Sequence, residues 1–350
     1  MKFKSFNNPQ VLTRSWYLIC KSSELKSGQV KSFELLDFKV AVFRSDEGDV
    51  SAIHATCPHM GADLGKGTVA KNHLLCPYHK WAFDRNGVCP RIPGKFYNQQ
   101  LKPNTIKTPA FPVIEKYGFI WIFNGEKADF PFPQLDWNSQ DHYILSVPGK
   151  TLGCHPHIIG TNNPDFNHLV FMHELTFIDE PKQTRDSYYK LKYNYQAQFT
   201  PKTFLDRFFA FISGTIFTFK IVQHGSNLII MDIDANNYQF RTLISLTPTL
   251  DGTTESRFFL FVPKLSGLRK FFRVNLLKLP LLLLSIFRVQ MQDVLVYNNI
   301  DFILPEYEPT IVQHKEFIES LGTYHPTDQT RSFPTKYLSP EIETPSVQSI

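Results

Sequence analysis

Cys57-Pro-His59 and Cys76-Pro-Tyr-His79 each offer one thiol and one imidazole, with sixteen residues between the two pairs. Both open on Cys-Pro, and glycines mark the chain between them as loop. Two thiolates and two imidazoles can hold zinc or an iron–sulfur cluster. Zinc knuckles usually pair like with like. One ligand of each kind per loop suits a two-iron cluster with unlike irons, Cys57 and Cys76 on one, His59 and His79 on the other. Exchanging two thiolates for neutral imidazoles removes negative charge and raises the potential. The bland alternative is four unrelated surface residues, which the matched spacing and the repeated Cys-Pro weigh against; zinc stands second. Cys20, Cys89 and Cys154 have no partner spacing and read as ordinary thiols.

A second group lies in "NNPDFNHLVFMHE", Asn162 to Glu174, which holds Asp165, His168 and His173. At about 100° per residue, a regular helix puts Asp165 and His168 on one face but turns His173 about 140° from His168. If both histidines hold one metal, the helix must break, bulge or end near Val170. Two histidines and one carboxylate make an iron site that keeps positions open for oxygen. The carboxylate must come from elsewhere, and Asp293 in "FRVQMQDVLVYNN" is the choice, an acid on a largely apolar helix. Glu174, Asp179 and Glu180 compete but lie very close to His173. Taken singly, each of these residues is more often a core histidine or a helix-surface charge.

The elements that must position these groups are mostly strands. From Trp16 to Phe123 the chain alternates apolar and polar residues, with turns at "DEGD", Asn86-Gly87 and Tyr117-Gly118. A proline-rich stretch near 124–140 marks a boundary. A helical stretch at about 157–174, several β segments and a long helix from about Leu268 to Asn299, kinked at Pro280, follow. The division expected is 14–126, 140–325 and an irregular tail at 326–350. The fold class is α+β.

At 350 residues, 42% hydrophobic and 20% charged, the chain fits two folded domains and is no disordered tail. The net charge of +5 is spread out, which gives nucleic-acid binding no support. Five cysteines and a start without a signal-like apolar core point to a reducing, cytoplasmic compartment. Phe208–Phe219 and Leu279–Phe287 are too short to span a bilayer, so membrane contact is at most peripheral.

"CPHMGADLGKGTVAKNHLLCPYHKW" resembles the Rieske [2Fe–2S] signature, and "SWYLICKSSEL" and "YGFIWIF" are similar to its flanks in Rieske oxygenases. Met60 stands where arginine is common and Lys80 where glycine is common. Asn162, Asp165, His168 and His173 are similar to the Asn-x-x-Asp-x-x-His-x4-His pattern of Rieske non-heme iron oxygenase α subunits, and Asp293 matches the family's downstream iron-binding aspartate. The resemblance covers roughly 14–300. It implies an N-terminal all-β Rieske domain and a C-terminal helix-grip (START-like) domain, an antiparallel sheet with a long helix. It also implies a [2Fe–2S] cluster, a mononuclear Fe(II) and a head-to-tail homotrimer of the α3 type. Asp165 would bridge His79 of one copy and His168 of the next. The reaction implied is oxidation of a small organic, apolar or amphipathic substrate with O2. Since no Gly-x-Gly-x-x-Gly unit occurs in the chain, the electrons would come from a ferredoxin or flavin-dependent reductase. The alternatives are a Rieske electron carrier without the second iron and a lipid-binding protein.

Overall fold

The computed structural model describes residues 5–36, 38–94, 102–135, 137, 141–204, 207, 210–211, 214–235, 238–264 and 291–325. Contacts divide the chain into two units. One comprises Met1–Lys26, Phe33–Phe38 and Phe111–Tyr324; the other comprises Ser27–Ser32, Lys39–Ala110 and His325–Ile350.

In the smaller unit, residues Val40–Arg44 pair antiparallel with Val50–His54, closed by the "DEGD" turn in which Gly48 takes a positive φ. A second antiparallel set runs Thr68–Ala70, His73–Leu75 and Ala82–Phe83. Phe43, Ile53, Leu64, Leu74, Trp81 and Phe83 form the core beneath these strands. Asp84 organises the Asn86-Gly87 turn: its carboxylate accepts from the N–H of Asn86 and of Val88, both at 2.9 Å.

The larger unit is built on an eight-stranded antiparallel sheet. Its order is His142–Leu152, Thr254–Pro263, Tyr238–Pro248, Leu228–Ala235, Ile216–His224 and Lys190–Phe199. Leu175–Phe177 and Lys182–Ser187 share the last edge. Register assigns the faces. One row runs Lys192, Val222, Ile230, Leu243, Phe259, Ser146, and the row on the opposite face runs Tyr193, Ile221, Met231, Thr242, Leu260, Leu145. The first face is covered by the three-stranded sheet of Trp16–Lys21, Phe119–Phe123 and Val113–Lys116, whose Phe119 and Trp121 rings lie 5.1 and 5.4 Å from Phe259. These three strands, read from sequence with the first domain, therefore sit in the larger unit, because their aromatic residues are buried on its sheet. Tyr117 and Gly118, both at positive φ, make the turn between two of them.

The helices of the site side are short. The stretch read as one helix at 157–174 is two: α1 (Pro156–Thr161) and α2 (Phe166–Phe171), separated by turns at Asn162–Pro164. Phe166 packs on Phe177 and Tyr195, which sets α2 on the second face of the sheet. The long helix expected at Leu268–Asn299 is described only at 291–297; its earlier part and the tail at 326–350 lie outside the described residues, as does the run Leu279–Phe287. Of the run Phe208–Phe219, Ile216–Phe219 are strand. Among the described residues no helix is long and apolar enough to cross a membrane.

Four histidines of this unit are buried as neutral rings. His314 meets the Tyr193 hydroxyl at 2.9 Å, His224 donates to the Pro131 carbonyl at 3.0 Å, and His155 and His157 face each other. Burial pushes His155 and His224 down to about 4 and His314 to about 3, and holds His157 well below its usual range. The folded values lie below the ~6.5 of an unfolded histidine, so this stabilisation is present above pH 6.5 and is lost as pH falls toward 4. Urea titrations at pH 7 and pH 5 should show a loss of roughly 2 kcal/mol per buried histidine. His314→Gln should reduce that loss by one histidine's share; an unchanged pH dependence would remove His314 from the account.

Candidate functional site

The two Cys-Pro loops fold alike. The Cys57 N–H donates to the Ala62 carbonyl and the Cys76 N–H to the Trp81 carbonyl, both at 2.9 Å. The Cys57 carbonyl accepts from Gly61 at 2.9 Å and the Cys76 carbonyl from Lys80 at 3.1 Å. Each loop thus closes through the same pair of backbone bonds, and each needs a left-handed residue at the fourth position after its cysteine. Gly61 supplies φ 77° without cost; Lys80 is held at φ 58°.

Both cysteines are buried, and the imidazoles are half-buried. The His59 and His79 rings lie 4.6 Å apart, and His59 is stacked on Trp81 at 4.3 Å. The Nδ1 atom of His79 is buried and has no hydrogen-bond partner. Burial pushes the Cys57 thiol up to about 12; the backbone N–H groups of His59 and Met60 that point at its sulfur act the other way, and the neighbouring Cys76 adds to the rise. Two adjacent buried thiols, amides aimed at sulfur and an orphaned imidazole nitrogen fit a cationic cluster, which would take both thiols as thiolates. The chemistry of the donors therefore agrees with the group.

The second site is assembled from two short segments. Asp165 caps α2, its carboxylate accepting from the His168 backbone N–H at 2.9 Å. The helix ends at Phe171, and Glu174 takes a left-handed φ of 56°. That stop lies one residue beyond the break expected near Val170, and it turns His173 back until its ring lies 4.6 Å from that of His168. The helix at 291–297 then brings in Asp293, whose Oδ1 is 3.0 Å from His168 Nε2 and 3.2 Å from His173 Nε2. One donor atom from each of the three residues lies within 4.8 Å of the others. Burial acts to raise the Asp293 carboxyl, but the hydrogen bonds and charge of the two imidazoles outweigh it and hold it below the usual range.

Of the competing carboxylates, Glu174 is drawn to Lys202 at 2.6 Å, and Asp179 and Glu180 are exposed in the turn after Leu175–Phe177. Asp165 does not bond the His168 ring here; its Nδ1 is buried with no partner. Sequence reasoning passed over Gln292, whose Oε1 lies 3.2 Å from His173 Nδ1. There an Nδ1–H donates to the glutamine oxygen, so a metal bound at this site would take Nε2 as its ligand. Its only signal in the sequence is adjacency to Asp293. Three convergent donors, one already oriented from behind, fit a mononuclear metal.

Residues 15–102 match the model of the Rieske [2Fe–2S] domain. The structure is similar to that of dicamba monooxygenase with non-heme iron and dicamba: TM-score 0.56, 20% identity, 90% of this chain and 97% of that one covered. The chain contains a Rieske domain and has the fold of a Rieske oxygenase. The matched domain is one described by its [2Fe–2S] cluster. In sequence it is 33% identical over 172 residues to cholesterol 7-desaturase nvd 1 of Ciona intestinalis, covering 47% of this chain and 35% of that protein. It is 30% identical over 194 residues to the 4beta-methylsterol monooxygenase of Methylococcus capsulatus, covering 51% and 52%. The chain thus spans about a third to a half of the length of these relatives.

Lys80 is the one position where the two cluster loops differ in strain. Lys80→Gly should stabilise the protein by about 1 kcal/mol, since a left-handed residue with a Cβ costs about that much. Thermal unfolding followed through the cluster's visible absorbance checks this; an unchanged or lower midpoint would mean that the lysine side chain offsets the strain.

Proposed function

We propose that this chain is a terminal oxygenase that hydroxylates or demethylates an apolar, sterol-sized substrate with O2. The convergence of His168, His173 and Asp293 carries the reading. We assign these three as iron ligands and Cys57, His59, Cys76 and His79 as cluster ligands. When bound, the two groups supply single electrons and the place where O2 is reduced.

The chain's own residues do the rest. Gln292 fixes the His173 ring, and the two histidines keep Asp293 ionised. The sheet face on which α2 packs offers Phe177, Tyr195, Phe219, Ile233 and Met231, a surface that holds a rigid hydrocarbon by shape and keeps water away. On the same face Thr242 carries a buried hydroxyl without a partner, suited to one hydroxyl or carbonyl of a substrate. Two relatives named for cholesterol and methylsterol support the size class. The electron donor is a separate ferredoxin or flavin-dependent reductase, and the working assembly is a homotrimer in which Asp165 joins His79 of one copy to His168 of the next. The unpartnered His168 Nδ1, at the end of the helix that Asp165 caps, supports that role.

Electron paramagnetic resonance of anaerobic, dithionite-reduced protein, before and after nitric oxide, tests the reading. A Rieske signal with a new high-spin iron–nitrosyl signal is expected, and Asp293→Ala should lose only the nitrosyl signal. A Rieske signal alone in iron-replete wild type would favour an electron carrier. Asp165→Asn keeps a good helix cap. It should retain both metal centres yet lower turnover at least tenfold; normal turnover would end the bridging role.

A further inference from the structure

The two sets of candidate ligands sit in opposite charge surroundings. Residues 57–107 contain eight Lys or Arg and two Asp. Seven of those cations are described, all are exposed, and none has an ion-pair partner among the described residues. Both aspartates already have partners: Asp84 accepts from the Asn86 and Val88 N–H groups, and Asp63 from the Gly65 N–H at 2.8 Å and the Ser32 hydroxyl. Three of the cations flank the Cys-Pro loops. Lys80 follows His79 directly, Arg91 pairs with Ala82, and Lys66 lies just before Thr68, which pairs with the Leu75 that precedes Cys76. Lys80 is held at φ 58°, a left-handed conformation that disfavours any side chain, and its ammonium meets no carboxylate among the described residues.

The larger unit is the reverse around Asp165. Residues 151–181 and 291–314 contain eight Asp or Glu and no Lys or Arg. The Thr310 hydroxyl donates to the Pro164 carbonyl at 3.0 Å, and the Gln183 amide donates to the Thr310 carbonyl at 3.2 Å. Those bonds bring two acidic segments up to the turn before Asp165: the one holding Glu306 and Glu308, and the strand Lys182–Ser187 that Glu180 precedes. Glu180 and Glu306 are exposed and Glu308 is half-buried; none of the three has an ion-pair partner among the described residues. Glu308 precedes the helix Pro309–Ser320 without spending its side chain as a cap. Of the cations on the adjoining strand, Arg185 is held at the Ser320 hydroxyl (2.8 Å), which leaves Lys182 against the three acids.

We propose that these two faces meet between copies of the chain, so that Lys80 of one copy, with Lys66 and Arg91, docks on the rim of Glu180, Glu306 and Glu308 around Asp165 of the next. Opposite signs surround the two residues, His79 and Asp165, that the assembly has to bring together. The charges therefore steer the encounter and fix its register, a role in which rim charges act more strongly than on affinity itself. A second copy is the occupant because the complementary face is carried on the same chain. With both faces on every copy the contact runs head to tail and repeats until the ring closes. The match of signs stands on these residues alone. Its use, to place His79 against Asp165, rests on the oxygenase reading.

Sedimentation velocity of the full, cluster-loaded chain tests the contact and needs no turnover. Association should weaken between about 50 mM and about 500 mM NaCl, as screening shortens the reach of the charges. Lys80→Glu with Arg91→Glu, and separately Glu180→Lys with Glu306→Lys, should each weaken association about tenfold or more while circular dichroism and the visible spectrum of the cluster are kept. All four changes in one chain exchange the signs of both faces and should restore the oligomer, which damage to the fold could not do. A wild type that stays monomeric at low salt, unchanged association in both double variants, or no recovery in the fourfold variant overturns the proposal. So does an unchanged oligomer in Lys80→Glu with Arg91→Glu whose cluster is reduced more slowly by a reduced, acidic [2Fe–2S] ferredoxin, which would make the basic face a dock for an electron donor. The expected loss and recovery without an iron–nitrosyl signal would keep the interface and sink the oxygenase reading instead.

Discussion

The site depends on stopping a helix. His168 and His173 are five residues apart, and a continued helix would splay their rings; the chain instead ends α2 at Phe171 and turns through Glu174 at φ 56°. A non-glycine residue in that region costs about 1–2 kcal/mol, so something must hold it there. Two interactions do. Leu175 pairs at once with Phe199 at the sheet edge, and Lys202 meets the Glu174 carboxylate. At the other end Asp165 satisfies a free backbone N–H of the first turn. A six-residue helix has little stability of its own. Its place is fixed by Phe166 wedged between Phe177 and Tyr195, which is how sheet packing becomes histidine geometry.

That dependence explains the character of the sheet. The central strand "LIIMDID" starts apolar on both faces, Leu228 and Ile230 on one and Ile229 and Met231 on the other, because each face has its own cover. One face receives the aromatic strands that precede and follow the cluster loops in sequence, with Phe259 at their centre. The other carries α2, and through Tyr193 and His314 the helix Pro309–Ser320. A scaffold covered on both sides is stiff, so the side chains it positions, His168 and His173 among them, keep the geometry a metal would demand. Where cover thins, toward Tyr143, Leu145 and Val147 on the edge strand, the same face exposes large apolar side chains.

Much of this was legible in the sequence wherever turn chemistry or ligand type left a local mark. The hairpins at "DEGD", Asn86-Gly87 and Tyr117-Gly118 follow from residues that accept positive φ, and all three form. Asp293 was identified because a carboxylate on an apolar helix needs a partner, and it lies against both histidines. What the sequence left unread is set by contacts between distant residues. The break inside 157–174 depends on turns whose residues are not strong helix breakers apart from Pro164. The grouping of Trp16–Lys21 and Phe119–Phe123 with the large sheet depends on Trp121 meeting Phe259, which no local pattern announces. Gln292 is invisible for the same reason: a glutamine becomes an orienting group only once a histidine from 119 residues away is placed beside it.

The two cluster loops show how burial can give a centre a direction. Their backbones close through the same bonds, yet the side chains divide by type: both thiols face the core, and both imidazoles lie at the half-buried edge. Trp81 and Tyr78 brace the imidazoles, one stacked on His59 and the other 3.8 Å from His79. With the proposed cluster bound, negative charge on the sulfurs would be kept inside, where backbone amides of His59 and Met60 point at the Cys57 sulfur, and the rings would lie at the edge. If the loops hold the cluster as proposed, those rings would be its outermost ligands and the shortest way in or out for an electron. Met60 and Tyr78 lie largely exposed beside them, so under the proposed assignment they would border the surface an electron donor approaches.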